Sequence, residues 1–134
     1  MSFINMIRNA SYNFVAPNIA ADADSKVEVI FPTSEKQEIA YATTIAATVE
    51  RAITLLDLGT LTGAATLNLT VGAYVPVGAL LTVKAKSDTT ARDITLGTGL
   101  TGPTLAGVIS KTKSQSFMYD GAKFIAMAAA VQLD

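Results

Sequence analysis

The sequence predicts an all-β protein, a β-sandwich or jelly-roll-like module over residues 26–134 behind an extended N-terminal arm over residues 1–25. Three observations predict it. Apolar and polar residues alternate with period two from Ile39 to Leu55. Short β-forming stretches recur between Gly-, Thr- or Asp-containing turns. And "FMYDGAKF" (117–124) joins two apolar segments through Asp-Gly alone. Period-two alternation places one set of side chains on one sheet face, and Asp-Gly between β-formers is a strong hairpin signal.

The arm comes first. "MSFINMIRNASYNFVAPNIAADAD" scatters Phe3, Ile4, Met6, Ile7, Tyr12, Phe14 and Val15 among four asparagines, at spacings that fit neither helix nor strand. A disordered tail would be more charged and less aromatic. The composition predicts an extended segment ordered by packing against something, so those seven residues are the candidate assembly contacts.

From Lys26 the pattern becomes β. "VEVIF" (27–31) ends at Pro32. Next, Ile39, Tyr41, Thr43, Ile45, Ala47, Val49, Arg51, Ile53 and Leu55 occupy the odd positions of one long bent strand, or of two consecutive ones. Ser34 and Gln37 have capping-box spacing, which makes a helix the competitor, but the Thr and β-branched content favours strand. "TLNLTV", "ALLTVKA", "RDITLG", "LAGVISKT", "SQSFMY" and "AKFIAMA" follow as further strands. Many short strands with such punctuation suggest a sandwich or jelly roll. "LGTLTGAATL" (58–67) is echoed by "LGTGLTGPTL" (96–105), an echo that Gly/Thr bias accounts for.

At the hairpin, a two-residue type I′ turn at Asp120-Gly121 would place Phe117 opposite Phe124 and Tyr119 opposite Ala122, on one buried face. Phe117, Tyr119, Asp120, Gly121 and Phe124 are then structural residues, and the turn explains Asp120 without chemistry.

Composition bounds function. Charged residues are 16% of the 134, hydrophobic ones 50%, with 22 alanines and 17 threonines; roughly 25% charged is ordinary. Twenty-one charges spread thinly over the roughly 6,700 Å² that a folded monomer of this mass exposes. Coverage of some surface by other subunits is the economical explanation. The net charge of −1 and the absence of any basic block give nucleic acid no footprint. No membrane partner is expected either: the longest apolar run, residues 71–83, holds a proline and two glycines and is too short to span a bilayer. The N-terminus lacks a charged n-region leading into an apolar h-region, so no secretion signal is expected.

The chain has no histidine and no cysteine, which removes Ser-His-Asp and Cys-His arrangements, disulfides and the commonest zinc ligand. Asp22 and Asp24 lack the Gly and distal Glu of a calcium loop. The pairs Glu35/Glu38 and Asp88/Asp93 read as surface or turn residues. "GTGLTG" (97–102) satisfies G-x-G-x-x-G, but Pro103 and a β-like stretch follow where a pyrophosphate-binding helix is needed. Lys84/Lys86 and Lys111/Lys113 are i, i+2 pairs typical of a solvated face or a guarded edge. No catalytic residue, cofactor or metal is expected.

Gly/Thr/Ala-rich β-modules with an apolar arm, no His or Cys, and a terminal "YDGAKF"-type hairpin resemble small auxiliary or decoration-type structural proteins of tailed-bacteriophage virions. The resemblance is one of texture over residues 52–127. It implies localisation in the virion, a partner in the major capsid protein or another virion component, and a homo-oligomer, with a trimer among the options. It also implies no catalysis. The alternative is a carbohydrate-binding or adhesin-like sandwich, which would need exposed aromatics; there is no Trp, and the four tyrosines fall mostly where burial is expected.

Overall fold

A computed structural model describes residues 32–134; "VEVIF", Asp22, Asp24 and the candidate arm contacts Phe3, Ile4, Met6, Ile7, Tyr12, Phe14 and Val15 lie outside them. The described residues are all-β, with ten strands and no helix. They are β1 (Ser34–Glu38), β2 (Thr44–Val49), β3 (Ile53–Leu61), β4 (Ala65–Val71), β5 (Leu80–Ser87), β6 (Ile94–Leu96), β7 (Leu100–Thr101), β8 (Thr112–Tyr119), β9 (Phe124–Ala126) and β10 (Val131–Gln132).

Two sheets form. The larger runs β1-β3-β5-β8-β9-β7, with β10 also on β8; the smaller runs β2-β4-β6. From β1 to β6 the chain alternates between them, so each pass through one sheet is followed by a pass through the other. β1, β3 and β5 stack parallel, as do β2, β4 and β6. Parallel neighbours need a long crossover, and here the crossover between two strands of one sheet is a strand of the other. Circuits differ in length: Ser34 pairs with Ile53, 19 residues on, and Ile53 with Leu80, 27 on. That irregularity hides the stacking from a search for fixed-period repeats. An antiparallel hairpin ends it, because β8 pairs antiparallel with β5, β9 and β10. A sandwich or jelly roll would be antiparallel throughout; five of the eight pairings here are parallel.

The core lies between the sheets, where aliphatic residues meet at matching levels. Ile45 stands beside Leu67 and Ala47 beside Leu69 in one sheet, Leu56 beside Val83 in the other. Ala65 and Ile94 continue the packing, and Phe117 and Phe124, both fully buried, close it under the hairpin.

The stretch from Ile39 to Leu55 is two strands in different sheets. In β2 the odd residues Ile45, Ala47 and Val49 are buried; in β3 the even ones, Thr54, Leu56 and Leu58, are. The three-residue corner 50–52 turns the chain from one sheet to the other and changes the phase. Ile53 therefore points out, where unbroken alternation put it in. Ser34–Gln37 is strand, not helix, as expected. "LAGVISKT" is not a strand: Leu105 makes an isolated bridge to Ile94, and the backbone that follows is held by bonds to acidic residues. Gly107 N donates to Asp93 Oδ1 at 2.9 Å and Ser110 N to the Asp88 carbonyl at 2.8 Å. These bonds occupy amides that a ladder would need.

The hairpin is longer than a type I′ turn. Tyr119 pairs with Phe124, Met118 with Ile125 and Phe117 with Ala126, two residues from the expected register. Asp120 is the reason: its Oδ1 accepts from Ala122 N at 2.8 Å and Lys123 N at 2.9 Å, wrapping residues 120–123 into a loop. Gly121 takes φ of +101° there. Because a slip of two preserves the faces, Phe117, Tyr119 and Phe124 still share the inner one. Phe124's directly opposed ring is Tyr119, centroids 5.0 Å apart.

Candidate assembly face

The outward side of the larger sheet is built in rows that cross its strands. Pairing places Ile53, Leu80, Met118 and Ile125 side by side on β3, β5, β8 and β9, with Ser34 of β1 at one end. All four apolar side chains are exposed, Ile53 at 51% and Met118 at 45%. Three residue types that normally fill cores thus form a solvent-facing ladder, with neighbouring rungs about 4.8 Å apart.

The next row holds Lys36, Leu55, Thr82 and Ser116, and Met127 N donates to the Ser116 carbonyl at 3.0 Å to continue it. Thr82 and Ser116 share a hydroxyl hydrogen bond of 3.3 Å. The third row is charged, with Glu38, Asp57 and Lys84 in register. Its charges are paired within the chain: Lys36 Nζ lies 2.7 Å from Glu38 and 3.8 Å from Asp57, and Lys84 Nζ 3.9 Å from Asp57. The hydrogen bond to Glu38 leads in holding the Lys36 ammonium above its ordinary pKa, with Asp57 adding to it. Val131 and Leu133 extend this side beyond β8, pairing with Ser114 and donating to the Thr112 carbonyl respectively.

Eleven large hydrophobic residues are exposed among those described, and seven belong to this face. The smaller sheet shows what a solvent face looks like in the same fold. Its outward residues are Thr44, Ala46 and Thr48 on β2, Thr66, Asn68 and Thr70 on β4, and Thr95 on β6. A concentration of apolar surface on one side only marks an interaction surface. A shallow depression of about 610 Å³ opens beside the ladder, lined by Ile53, Leu55, Thr82 and β1.

No catalytic constellation is brought together among the described residues. Glu35 faces Arg51 at 3.6 Å. Asp88 takes a bidentate contact from Arg92, Nε at 2.8 Å and Nη2 at 3.0 Å, and that guanidinium leads in holding its carboxyl below the usual range. Asp93 accepts Gly107 N. Each of these carboxylates has a partner within the chain. "GTGLTG" follows β6 and contains β7, and Thr98 N donates to Asn68 Oδ1 at 2.9 Å; no helix follows it. Among the described residues no group of three His, Cys, Asp or Glu could hold a metal ion, and no helix is long and apolar enough to cross a membrane. Of the hairpin residues, Phe117 and Phe124 are buried, Tyr119 is half-buried with its hydroxyl on the Gly121 carbonyl, and Asp120 and Gly121 are exposed in the loop.

The ladder itself escaped the sequence. Its one signal was Arg51, a charge standing in the supposedly buried odd phase, which marks where the alternation breaks. Comparison with protein-family models, with curated proteins and with solved structures gives no match to this chain.

Proposed function

We propose that the chain is a non-enzymatic structural protein of a virion, an auxiliary or decoration-type subunit that binds the major capsid lattice or another virion component and stabilises the particle. It works as several copies together, with the arm engaging a neighbour. One observation carries the proposal: a small protein poor in charge keeps an apolar ladder on one sheet face while the other sheet presents threonine and asparagine. Such a face costs solubility unless another surface covers it, and a subunit of a particle always has that cover. The finer architecture we read as a short stack of β-coils closed by a hairpin, a shape suited to lying along a lattice. The test is co-purification with a particle, followed by deletion of residues 1–24. The expected outcome is that the remainder stays folded and cooperative but leaves the particle; full occupancy without the arm would overturn the arm's role.

A glycan-binding module is the second reading. Tyr74, 96% exposed at the tip of the loop 72–79, favours it. Glycan affinity in the isolated chain, lost in Tyr74→Ala, would promote it.

A further inference from the structure

We infer that the ladder of Ile53, Leu80, Met118 and Ile125 is a seam between copies of this same chain, with a rotation axis running parallel to the ladder. The inference deepens the multi-copy part of the proposed function and rests on it. The face limits what a partner can be. The charges nearest the ladder are already paired, Lys36 of the second row with Glu38 and Asp57, and Lys84 with Asp57; Lys86, a row further out, is exposed. A strongly acidic or basic partner seated on the ladder would have to break those contacts in order to pair with them. The complementary surface is an apolar row flanked by Thr82, Ser116 and charges that are already paired, and the face has that composition itself. A second copy therefore matches it without any further feature.

Geometry sets the symmetry. The ladder runs across the strands, along the direction in which the coils stack, and its rungs sit at fixed levels set by the pairing. Rotation about an axis parallel to that direction changes no residue's level. Each rung then meets its own counterpart, Met118 against Met118 and Leu80 against Leu80, the like-to-like contact of an isologous or cyclic interface. The same rotation carries the charged rows away from one another, so like charges are not stacked across the seam. Beside the ladder the loop 72–79 is pinned, Gly78 N donating to the Tyr119 carbonyl at 2.8 Å and Ala79 N to Pro76 at 3.1 Å. Val77 in that loop is exposed as well.

The chain has no cysteine, so single-cysteine variants report contacts without background. In the full-length protein, Met118→Cys and Thr48→Cys are each treated with a short bismaleimide, and the wild type is weighed by light scattering. Thr48 lies on the outward side of the smaller sheet. The expected result is a wild-type mass of two or more chains of 13.9 kDa, with Met118→Cys cross-linked into pairs (nearly all chains in an even oligomer, about two in three in a trimer) and Thr48→Cys not cross-linked. Leu80→Lys should reduce the mass to one chain while the β-type circular dichroism is retained. A single-chain mass for the wild type at high micromolar concentration overturns the inference. So does an oligomer that survives Leu80→Lys, or one that cross-links through Thr48→Cys and not through Met118→Cys. Should Leu80→Lys fail to fold, the pair of cysteine variants still decides. Oligomers that cross-link through Met118→Cys yet never join a particle support the seam and remove the virion reading. Single copies bound to a particle do the reverse.

Discussion

Truncating Phe124 to alanine tests the hairpin and the core at once. The ring is fully buried where β8, β9 and β7 meet: Phe124 pairs with Tyr119 on one side and Leu100 on the other, and its amide donates to the Gly99 carbonyl at 2.9 Å. A buried phenylalanine removes about 150–250 Å² from water, and at about 25 cal/mol per Å² that is roughly 4–6 kcal/mol. Alanine retains part of it, and the two sheets cannot close on the space left, so the expected loss is about 3–5 kcal/mol. Urea titration followed by circular dichroism reads it directly. With a slope of about 1–3 kcal/mol/M the midpoint falls by at least about 1 M. An unchanged midpoint would refute the burial. The register has its own test in a double-mutant cycle. Tyr119 and Phe124, with centroids 5.0 Å apart, should couple by about 0.5–1.5 kcal/mol. A larger coupling between Phe117 and Phe124 would restore the two-residue turn and sink the four-residue loop.

Three further outcomes are expected. Gly121→Val should cost about 1–3 kcal/mol in the same titration, because a β-branched residue is strained at positive φ; an unaltered midpoint would mean that the loop adopts another backbone. The Lys123 and Ala122 amides hold the Asp120 carboxyl below its ordinary pKa. A depressed folded-state pKa stabilises the fold above the unfolded value, about 3.9, and that contribution is lost as pH falls through the folded value. Wild type should therefore lose more stability than Asp120→Asn between neutral pH and pH of about 3, whereas at neutral pH Asn, which also accepts through Oδ1, should be nearly equivalent. Parallel pH profiles would remove the carboxylate's role. Thr54 is buried with a hydroxyl that has no hydrogen-bond partner among the described residues, so Thr54→Val should raise stability by about 1 kcal/mol; a loss would reveal a partner for that oxygen.

Much of the fold could be read from local chemistry because local chemistry decides it. Alternation marked β2 and β3 as strands, β-forming stretches between turn residues marked β4, β5 and β8, and Asp120-Gly121 marked the turn that brings β9 back on β8. Stacking could not be read, since which strand lies beside which depends on corners that carry no periodic signal. The corner 50–52 is the instructive case. Three residues there change both the sheet and the phase, so Ile53 and Leu55 leave the face of Ile45 and join the outside. Asp120 shows the same limit on a smaller scale: its two side-chain bonds to the backbone lengthen the turn, moving every pair by two while leaving every face intact.

That difference between faces and neighbours explains why core residues were legible and the assembly face was not. Burial is a property of one strand and its alternation, so Phe117 and Phe124 could be assigned inward from their own stretch. The ladder is a property of four strands at once. Its rungs Ile53, Leu80, Met118 and Ile125 come from distant parts of the sequence and become one row only through three successive pairings. Taken singly, each is an ordinary exposed apolar residue of the kind every protein carries. What changes their meaning is the other sheet, where the chain meets the same need for an outward face with Thr44, Thr48, Asn68 and Thr70. The chain thus writes its two outward faces differently, and the proposed function accounts for the apolar one by covering it.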